Sequence, residues 1–181
     1  MVGVTTELLL ISGSTRARSS NTAALQALAT LAPDGTHTEL YDRLAALPAF
    51  NPDADPDHPD PAVADLRAKL SAADVVMFST PEYAGTLPGS LKNLLDWTVG
   101  TGDFYGKSVA WVNVANPGRG EGAQAALASV LSYVGAVPID TACARLNLES
   151  KSTPEEILAD PALVTEMRGM YLAITTRVML S

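Results

Sequence analysis

Short apolar segments alternate with helical patterns along most of this 181-residue chain. Three of these segments, Glu7–Ser12, Asp74–Ser79 and Ser108–Ala115, are largely continuous apolar runs, as is typical of strands that are covered on both faces. Strands that are separated by helices pair in parallel through right-handed crossovers. The sequence therefore predicts an α/β fold built on a parallel sheet.

Two weaker strand signals and several helical patterns complete this alternation. Thr36–Tyr41 is predicted to be the second strand, and a fifth and last strand is expected within Pro138–Leu146. Pro48–Pro61 carries five prolines and four aspartates and is predicted to be a loop, either a solvated connection or a cover over a ligand site. Leucine or alanine spacing and prolines at first-turn positions predict helices over residues 21–31, 61–72, 88–98, 121–134, 154–159 and 161–180.

Length and charge limit the possible class of protein. At roughly 150 residues per domain, the chain is expected to form a single domain over residues 1–181. The formal net charge of −8 repels phosphate backbones, which argues against nucleic-acid binding. The longest apolar stretch near the N-terminus, Leu8–Ile11, is too short for a signal-peptide core or a membrane span. We therefore expect a cytoplasmic chain with no membrane partner.

The cysteine and histidine content offers little for metal or nucleophilic chemistry. The single cysteine, Cys143, cannot form an internal disulfide and is interpreted as a small buried apolar residue. His37 and His58 have no partner at metal-ligand spacing, so no metal site is predicted. No G-x-S-x-G string is present, which argues against an α/β-hydrolase.

The loop after the first predicted strand has the composition of a phosphate site. It leaves a buried strand and enters a helix, whose N-terminus offers unsatisfied N–H groups. Hydroxyls and guanidinium groups at that position would bind a phosphate dianion, although an ordinary N-cap turn with solvated arginines also fits. The side chains concerned are Ser14, Thr15, Ser19, Ser20, Arg16 and Arg18.

The loops after the third and fourth predicted strands are rich in glycine and proline. Ser79–Ser90 would present fixed backbone N–H groups to a planar heterocycle, with Tyr83 stacked on the ring or simply packed in the loop. Gly118–Ala123 fits G-x-G-x-x-A, and Asp140 follows about twenty residues later, as in dinucleotide-binding folds. A plain glycine loop explains this string equally well.

Two of these loops together resemble a known family. GSTRARSSN, at residues 13–21, resembles the G-S-x-R-x-x-S-x-N phosphate loop of the NADPH-dependent FMN reductase family. PEYAGTLPGSLKNLLDW, at residues 81–97, is similar to that family's P-E-Y-N-x-x-x-P-G-x-L-K-N-x-x-D-W signature, except that Ala84 replaces Asn. The resemblance spans about residues 7–135. It implies a flavodoxin-like three-layer sandwich with a five-stranded parallel sheet in the order 2-1-3-4-5.

The resemblance also implies a cofactor, an activity and a set of site residues. The cofactors would be FMN and NADPH or NADH, and hydride would pass from the nicotinamide through the flavin to a quinone, free flavin or similar small-molecule acceptor. No side chain is assigned as catalytic, and a homodimer or homotetramer is expected. The implied cofactor-binding residues are Ser14, Arg16, Ser19, Ser20, Asn21 and Thr22 around the phosphate, Pro81, Glu82, Tyr83, Ala84 and Gly85 at the ring edge, and Asn116, Pro117 and Gly118 on the other side of the ring.

Two other functions remain open at this point. The chain could be an FMN-binding electron carrier that does not oxidise NAD(P)H. It could also be a structural domain of the same fold that binds no flavin. The third loop, ANPGRGEG at residues 115–122, differs from the family's usual serine- and glycine-bearing form and leaves the choice between NADPH and NADH open.

Overall fold

A parallel sheet forms the centre of the computed structural model, which describes residues 5–54, 59–149 and 151–180. The sheet order is β2-β1-β3-β4-β5, and a short sixth strand also pairs with β4. The strands are β1 (Thr6–Ser12), β2 (Thr36–Tyr41), β3 (Val75–Ser79), β4 (Ser108–Asn113), β5 (Val137–Pro138) and β6 (Ala144–Arg145). The helices are α1 (Ser20–Thr30), α2 (Pro61–Ala72), α3 (Gly89–Trp97), α4 (Glu121–Tyr133), α5 (Pro154–Leu158) and α6 (Pro161–Met179).

The order 2-1-3-4-5 confirms the predicted topology. In the middle of the sheet, Leu10 of β1 pairs with Leu40 of β2 on one side and with Met77 of β3 on the other. Met77 in turn pairs with Ala110 of β4. All of these pairs are parallel, as the alternation of strands and helices predicts.

The last strand differs from its sequence-based prediction. One strand is expected within Pro138–Leu146, but the structure divides this region into β5 and β6, with a 3₁₀ turn at Asp140–Ala142 between them. Both parts pair with β4, since Val137 pairs with Ser108 and Ala144 pairs with Val112. The turn buries Ala142, which packs in the apolar layer next to the sheet. A tertiary contact therefore interrupts what is locally a continuous strand signal.

Alternate side chains along the strands pack into two apolar layers, one on each face of the sheet. On one face, Leu9 and Ile11 pack in a cluster with residues of α2, α3 and α4. On the other face, Leu8 and Leu10 pack with residues of α1, α5 and α6. Successive side chains of a strand point to opposite faces, so this division follows directly from the strand period. The arrangement confirms the three-layer sandwich.

Several helix starts follow from local capping chemistry. The Asp160 carboxylate accepts hydrogen bonds from the backbone N–H groups of Ala162 and Leu163 at the start of α6. Asp60 caps α2 in the same way, and Thr153 forms a capping box with Glu156 at the start of α5. Side chains of this kind satisfy N–H groups that have no acceptor within the helix.

The described part of the Pro48–Pro61 loop is attached to α3. The carbonyl oxygen of Pro48 accepts hydrogen bonds from Trp97 Nε1 at 2.8 Å and from Asn93 Nδ2 at 2.9 Å. The ring of Phe50 packs edge-on against Trp97. Residues 55–58, including His58, lie outside the described residues. Within the described ranges, no helix is long and apolar enough to cross a membrane.

Candidate functional site

The three loops singled out in the sequence meet at the carboxyl end of the sheet. They enclose a cleft of about 460 Å³, which lies where doubly wound α/β sheets place their ligands. Most of its walls come from residues within 14–21, 80–83 and 115–120, and the rest from a segment after β6. The complete lining is Ser14, Arg16, Arg18, Ser19, Ser20, Asn21, Thr80, Pro81, Glu82, Tyr83, Val114, Ala115, Asn116, Arg119, Gly120, Leu148, Glu149 and Lys151.

The first loop leaves β1 through a position that only glycine can occupy without a rearrangement. A Cβ atom at Gly13 would lie 2.3 Å from Thr80 Oγ1. The backbone N–H of Gly13 also donates to the carbonyl oxygen of Ser79 at 2.8 Å. The first and second loops are therefore in close contact where they leave β1 and β3.

Hydroxyl contacts hold the start of α1 against the strand ends. Thr22 Oγ1 lies 2.7 Å from Ser12 Oγ, and Ser19 caps the helix by accepting from the Thr22 backbone N–H. The Ser79 hydroxyl lies 3.0 Å from both Asn21 Oδ1 and the Val112 carbonyl oxygen. The side chains of Asn21 and Thr22 therefore form hydrogen bonds with other residues of the protein.

The first turn of α1 still carries free backbone donors. Among the described residues, the N–H groups of Ser20 and Asn21 have no acceptor. They stand at the positive end of the helix dipole, beside the hydroxyls of Ser14 and Ser20. This combination of N–H groups, hydroxyls and dipole is suited to an anion.

Four cationic side chains line the cleft without an ion-pair partner. Within the described part of the chain, Arg16, Arg18, Arg119 and Lys151 form no salt bridge, although the chain carries a net charge of −8. Two carboxylates, those of Glu82 and Glu149, also line the cleft, so the local balance is positive. A surplus of unpaired cations in one cleft favours an anionic ligand.

The second loop makes a tight turn whose backbone is left-handed at two positions. Tyr83 and Thr86 exchange backbone hydrogen bonds of 3.0 and 3.1 Å, and between them Ala84 has φ 50° and Gly85 has φ 76°. The Tyr83 side chain is 46% exposed, so it is available for stacking and is not a core residue. The loop is also fitted closely to α4, because a Cβ at Gly122 would lie 2.1 Å from the Gly85 carbonyl oxygen.

The third loop is held by one arginine from β6. Arg145 Nη1 donates to the carbonyl oxygens of Ala115 and Arg119 at 3.0 and 3.1 Å, and less closely to Asn116. Arg145 Nη2 pairs with Glu121 Oε1 at 2.9 Å. The guanidinium thus gathers the loop carbonyls around a single charged group, which fixes the shape of this wall.

The glycines of the G-x-G-x-x-A string have local structural explanations. Gly120 has φ 84°, and a Cβ there would lie 2.8 Å from Asn113 Oδ1. Gly118 is also left-handed, and Asp140 begins the 3₁₀ turn between β5 and β6. These features favour the plain glycine-loop interpretation over a dinucleotide fingerprint.

Most of the residues expected from the sequence come together at the cleft. Nine of the fourteen residues that were expected to bind the cofactor line the cleft. The five that do not are Thr22, Ala84, Gly85, Pro117 and Gly118. Of the lining residues that the expectation left out, Leu148, Glu149 and Lys151 follow β6, where no motif marks them. The Lys151 backbone N–H donates to Ser20 Oγ at 3.0 Å, a contact across 131 residues that no local pattern could indicate.

Comparisons with known proteins agree with this geometry. The family profile described as NADPH-dependent FMN reductase matches residues 6–147. An NAD(P)H-dependent FMN reductase of Pseudomonas aeruginosa is 43% identical over 91 residues, which are 50% of this chain and 49% of that protein. A quinone reductase of Pseudomonas putida is 30% identical over 165 residues, covering 88% of this chain and 81% of that protein.

A solved structure shows the same fold over nearly the whole chain. The flavoenzyme NAD(P)H:(acceptor) oxidoreductase FerB of Paracoccus denitrificans has a TM-score of 0.78 and 26% sequence identity, covering 94% of this chain and 98% of its own. By contrast, the chain spans about half the length of the Pseudomonas aeruginosa reductase. The profile match covers well over half of the chain, and with it the chain belongs to the NADPH-dependent FMN reductase family, whose cofactors are FMN and NAD(P)H.

Proposed function

We propose that this chain binds FMN in the cleft between its three loops and transfers electrons from NAD(P)H to a quinone or flavin acceptor. Family membership supports the cofactor, and the names of two relatives, an FMN reductase and a quinone reductase, support the acceptor class. The alternative is an electron carrier that holds FMN without oxidising NAD(P)H.

The unpaired charge of the cleft is the observation that carries this proposal. Four cations without ion-pair partners in the described residues line the same cleft as the free N–H groups at the start of α1. The cleft of about 460 Å³ also lies in the ordinary size range for small-molecule and cofactor sites. The donor set and the volume both fit a ligand that has a phosphate at one end and a flat ring at the other.

The phosphate end would bind at the first loop. Ser14, Ser19 and Ser20 would donate from their hydroxyls and Arg16 from its guanidinium, while Asn21 would contribute its backbone N–H. The side chains of Asn21 and Thr22 would contribute by positioning α1, because both hold this helix against the strand ends. Charge-assisted bonds of this kind each contribute about 1.5–3 kcal/mol.

The ring end would bind between the second and third loops. Pro81, Glu82 and Tyr83 line this side of the cleft, and Asn116 faces them from the third loop. The turns at residues 84–85 and 117–118 do not line the cleft, but they adjoin Tyr83 and Asn116 in the sequence, and their backbone groups would border the ring from just outside the lining. Bound FMN supplies the hydride chemistry, so no side chain has to act as an acid or base.

The wider setting of the protein is part of the same proposal. A small-molecule electron acceptor would enter the cleft, and the chain would act as a cytoplasmic homodimer or homotetramer. The family resemblance supports the oligomer, and light scattering on the purified chain would determine its size. We also propose that residues 1–181 form one FMN-binding domain, because the described elements from β1 to α6 share two apolar layers.

Anaerobic absorbance spectroscopy tests the proposed function directly. The purified chain is reconstituted with FMN, and the flavin band is followed after NADPH or NADH is added and again after a quinone is added. We expect bleaching by the nicotinamide and recovery of the band with the quinone. A yellow protein that neither nucleotide bleaches would be the electron carrier instead. A chain that takes up no FMN would contradict both functions.

A further inference from the structure

Arg145 is bonded to the third loop at three points but lies outside the cleft. Its Nη1 donates to the carbonyl oxygens of Ala115 at 3.0 Å, of Arg119 at 3.1 Å and of Asn116 at 3.4 Å. The guanidinium is 29% exposed, and Arg145 is not among the residues that line the cleft. It therefore contacts the side of the loop that faces away from the cleft, and the three carbonyl oxygens point towards that side.

The direction of these carbonyl groups determines the direction of two backbone N–H groups. In a trans peptide unit, the C=O of one residue and the N–H of the next point in opposite directions, and no cis peptide bond occurs among the described residues. The Ala115 carbonyl shares its peptide unit with the N–H of Asn116, and the Arg119 carbonyl shares its unit with that of the next residue, Gly120. Both N–H groups therefore point away from Arg145, to the side on which Asn116 and Gly120 line the cleft.

Both of these N–H groups are available to a ligand. Within residues 5–54, 59–149 and 151–180, neither the N–H of Asn116 nor that of Gly120 has a hydrogen-bond acceptor. The N–H of Ala115, by contrast, is already used, because it donates to Asn113 Oδ1 at 2.9 Å. The third loop thus presents two unused donors to the cleft, while Arg145 holds three carbonyl acceptors on the opposite side.

We propose that Arg145 is a positioning residue for the flavin ring, and that it acts by turning this pair of N–H groups towards the ring. The inference rests on the proposed function, because it takes the ring to lie between the second and third loops. Donors that are fixed in advance stabilise the negative charge that a flavin ring gains on reduction, whereas carbonyl oxygens at the same place would repel it. Arg145 therefore favours binding of the reduced cofactor over the oxidised one without touching either.

Anaerobic titration with oxidised and reduced FMN tests this role through binding and not through activity. The unaltered chain is compared with Arg145→Met, which removes the donors but keeps an unbranched side chain. We expect affinity for reduced FMN to fall about tenfold more than affinity for oxidised FMN, the value of one hydrogen bond to a charged group. For a two-electron couple, this ratio is a fall of about 30 mV in the midpoint potential. Equal weakening of both forms would mean that only a structural contact was lost, and it would overturn the inference.

Arg168→Met is the matched control, because Arg168 is an exposed residue of α6 that does not line the cleft. It makes the same change in net charge and should leave both affinities as they are. Arg145→Lys keeps the charge in place, but an ammonium group lacks the planar fork of a guanidinium. This variant should still favour reduced FMN less than the unaltered chain does. An unchanged ratio of the two affinities in Arg145→Lys would show that the charge alone acts, which contradicts a positioning role.

Amide proton shifts give a readout on the unaltered chain, which does not depend on the folding of any variant. In the isotopically labelled protein with FMN bound, the amide protons of Asn116 and Gly120 should move downfield when the cofactor is reduced, because their hydrogen bonds strengthen. The amide proton of Gly169, in α6, should stay in place. Constant shifts at Asn116 and Gly120 would refute the inference and leave the FMN proposal intact. A chain that binds neither form of FMN would overturn the proposed function, and this inference with it.

Discussion

Glu82 accepts a hydrogen bond from the backbone N–H of Ala123 at 3.2 Å and thereby ties the second loop to the first turn of α4. A carboxylate at a helix N-terminus is favourable because the first N–H groups have no acceptor within the helix. The same contact brings Gly122 close to the Gly85 carbonyl. The wall that would meet the ring edge of a flavin therefore depends on a close fit between a loop and a helix.

Gly122→Ala should disturb this fit. Its new methyl group would meet the Gly85 carbonyl oxygen at 2.1 Å, so the free energy of unfolding should fall by about 1–3 kcal/mol, as for other overpacked sites. Flavin affinity should fall with it, because the loop must move. Urea denaturation and flavin titration measure the two effects.

Gly169→Ala is the matched control for that substitution. Gly169 is an exposed residue of α6, and a Cβ there meets no atom within 4 Å. Alanine is a better helix former than glycine, so this variant should gain about 0.5–1 kcal/mol of stability with unchanged flavin binding. If Gly122→Ala proved as stable as Gly169→Ala, the close approach would be refuted.

Ala84→Asn should stabilise the second loop. Alanine at φ 50° is strained, and a left-handed backbone costs an L-residue about 1–2 kcal/mol. Asparagine tolerates this conformation better and is favoured in such turns, so we expect a gain of about 0.5–1 kcal/mol in thermal or urea unfolding. Ala84→Val, with a branched side chain at the same backbone angles, should lose stability. Equal stability of the two variants would argue against the left-handed turn.

Arg16→Ala and Ser19→Ala should each weaken FMN binding about 10- to 100-fold, the value of one charge-assisted bond. Ser19 also caps α1, so part of its effect could come from a less stable helix. Asp160→Ala separates the two causes, because Asp160 caps α6 and does not line the cleft. It should lower stability by about 1 kcal/mol and leave FMN affinity unchanged. FMN affinity that stays constant in the first two variants would refute the phosphate assignment.

Cys143 should make the stability of the chain sensitive to alkaline pH. Burial, with a further contribution from the Asp140 carboxylate, raises the pKa of the Cys143 thiol from 9.0 to about 11. The unfolded chain then loses this proton at lower pH than the folded chain does. The stabilisation is therefore complete below pH 9 and is lost as pH rises towards 11.

Comparison with Cys143→Ala isolates this effect. Burial also raises the pKa values of Tyr41 and Tyr171, but these groups titrate in both variants and cancel in the difference. Urea unfolding across the alkaline range should show the wild-type chain losing more stability than the variant. Parallel curves would contradict the raised pKa. The structure leaves Cys143 half-buried, whereas the sequence-based interpretation expected it to be buried. The raised pKa keeps its thiol protonated near neutral pH.

The sequence predicted most of the fold because its signals are local. Strand β2 and helix α2 have the predicted bounds of Thr36–Tyr41 and Pro61–Ala72, and the other helices differ from their predictions by one residue at one or both ends. Apolar runs, capping residues and prolines at first-turn positions act within a few residues of their place in the chain. The division of the last strand was missed because it depends on burial of Ala142 against residues that are distant in the sequence.

By itself, the sequence determined the order of strands and helices along the chain. It also determined the family and the two loops that carry the motifs of that family. Tertiary structure decided which residues of those loops face the cleft, and it turned the side chains of Asn21 and Thr22 towards Ser79 and Ser12. It also brought Lys151 to Ser20. The physical reason is that secondary structure follows from short-range sterics and periodicity, whereas a binding site is assembled by contacts between residues far apart in the chain.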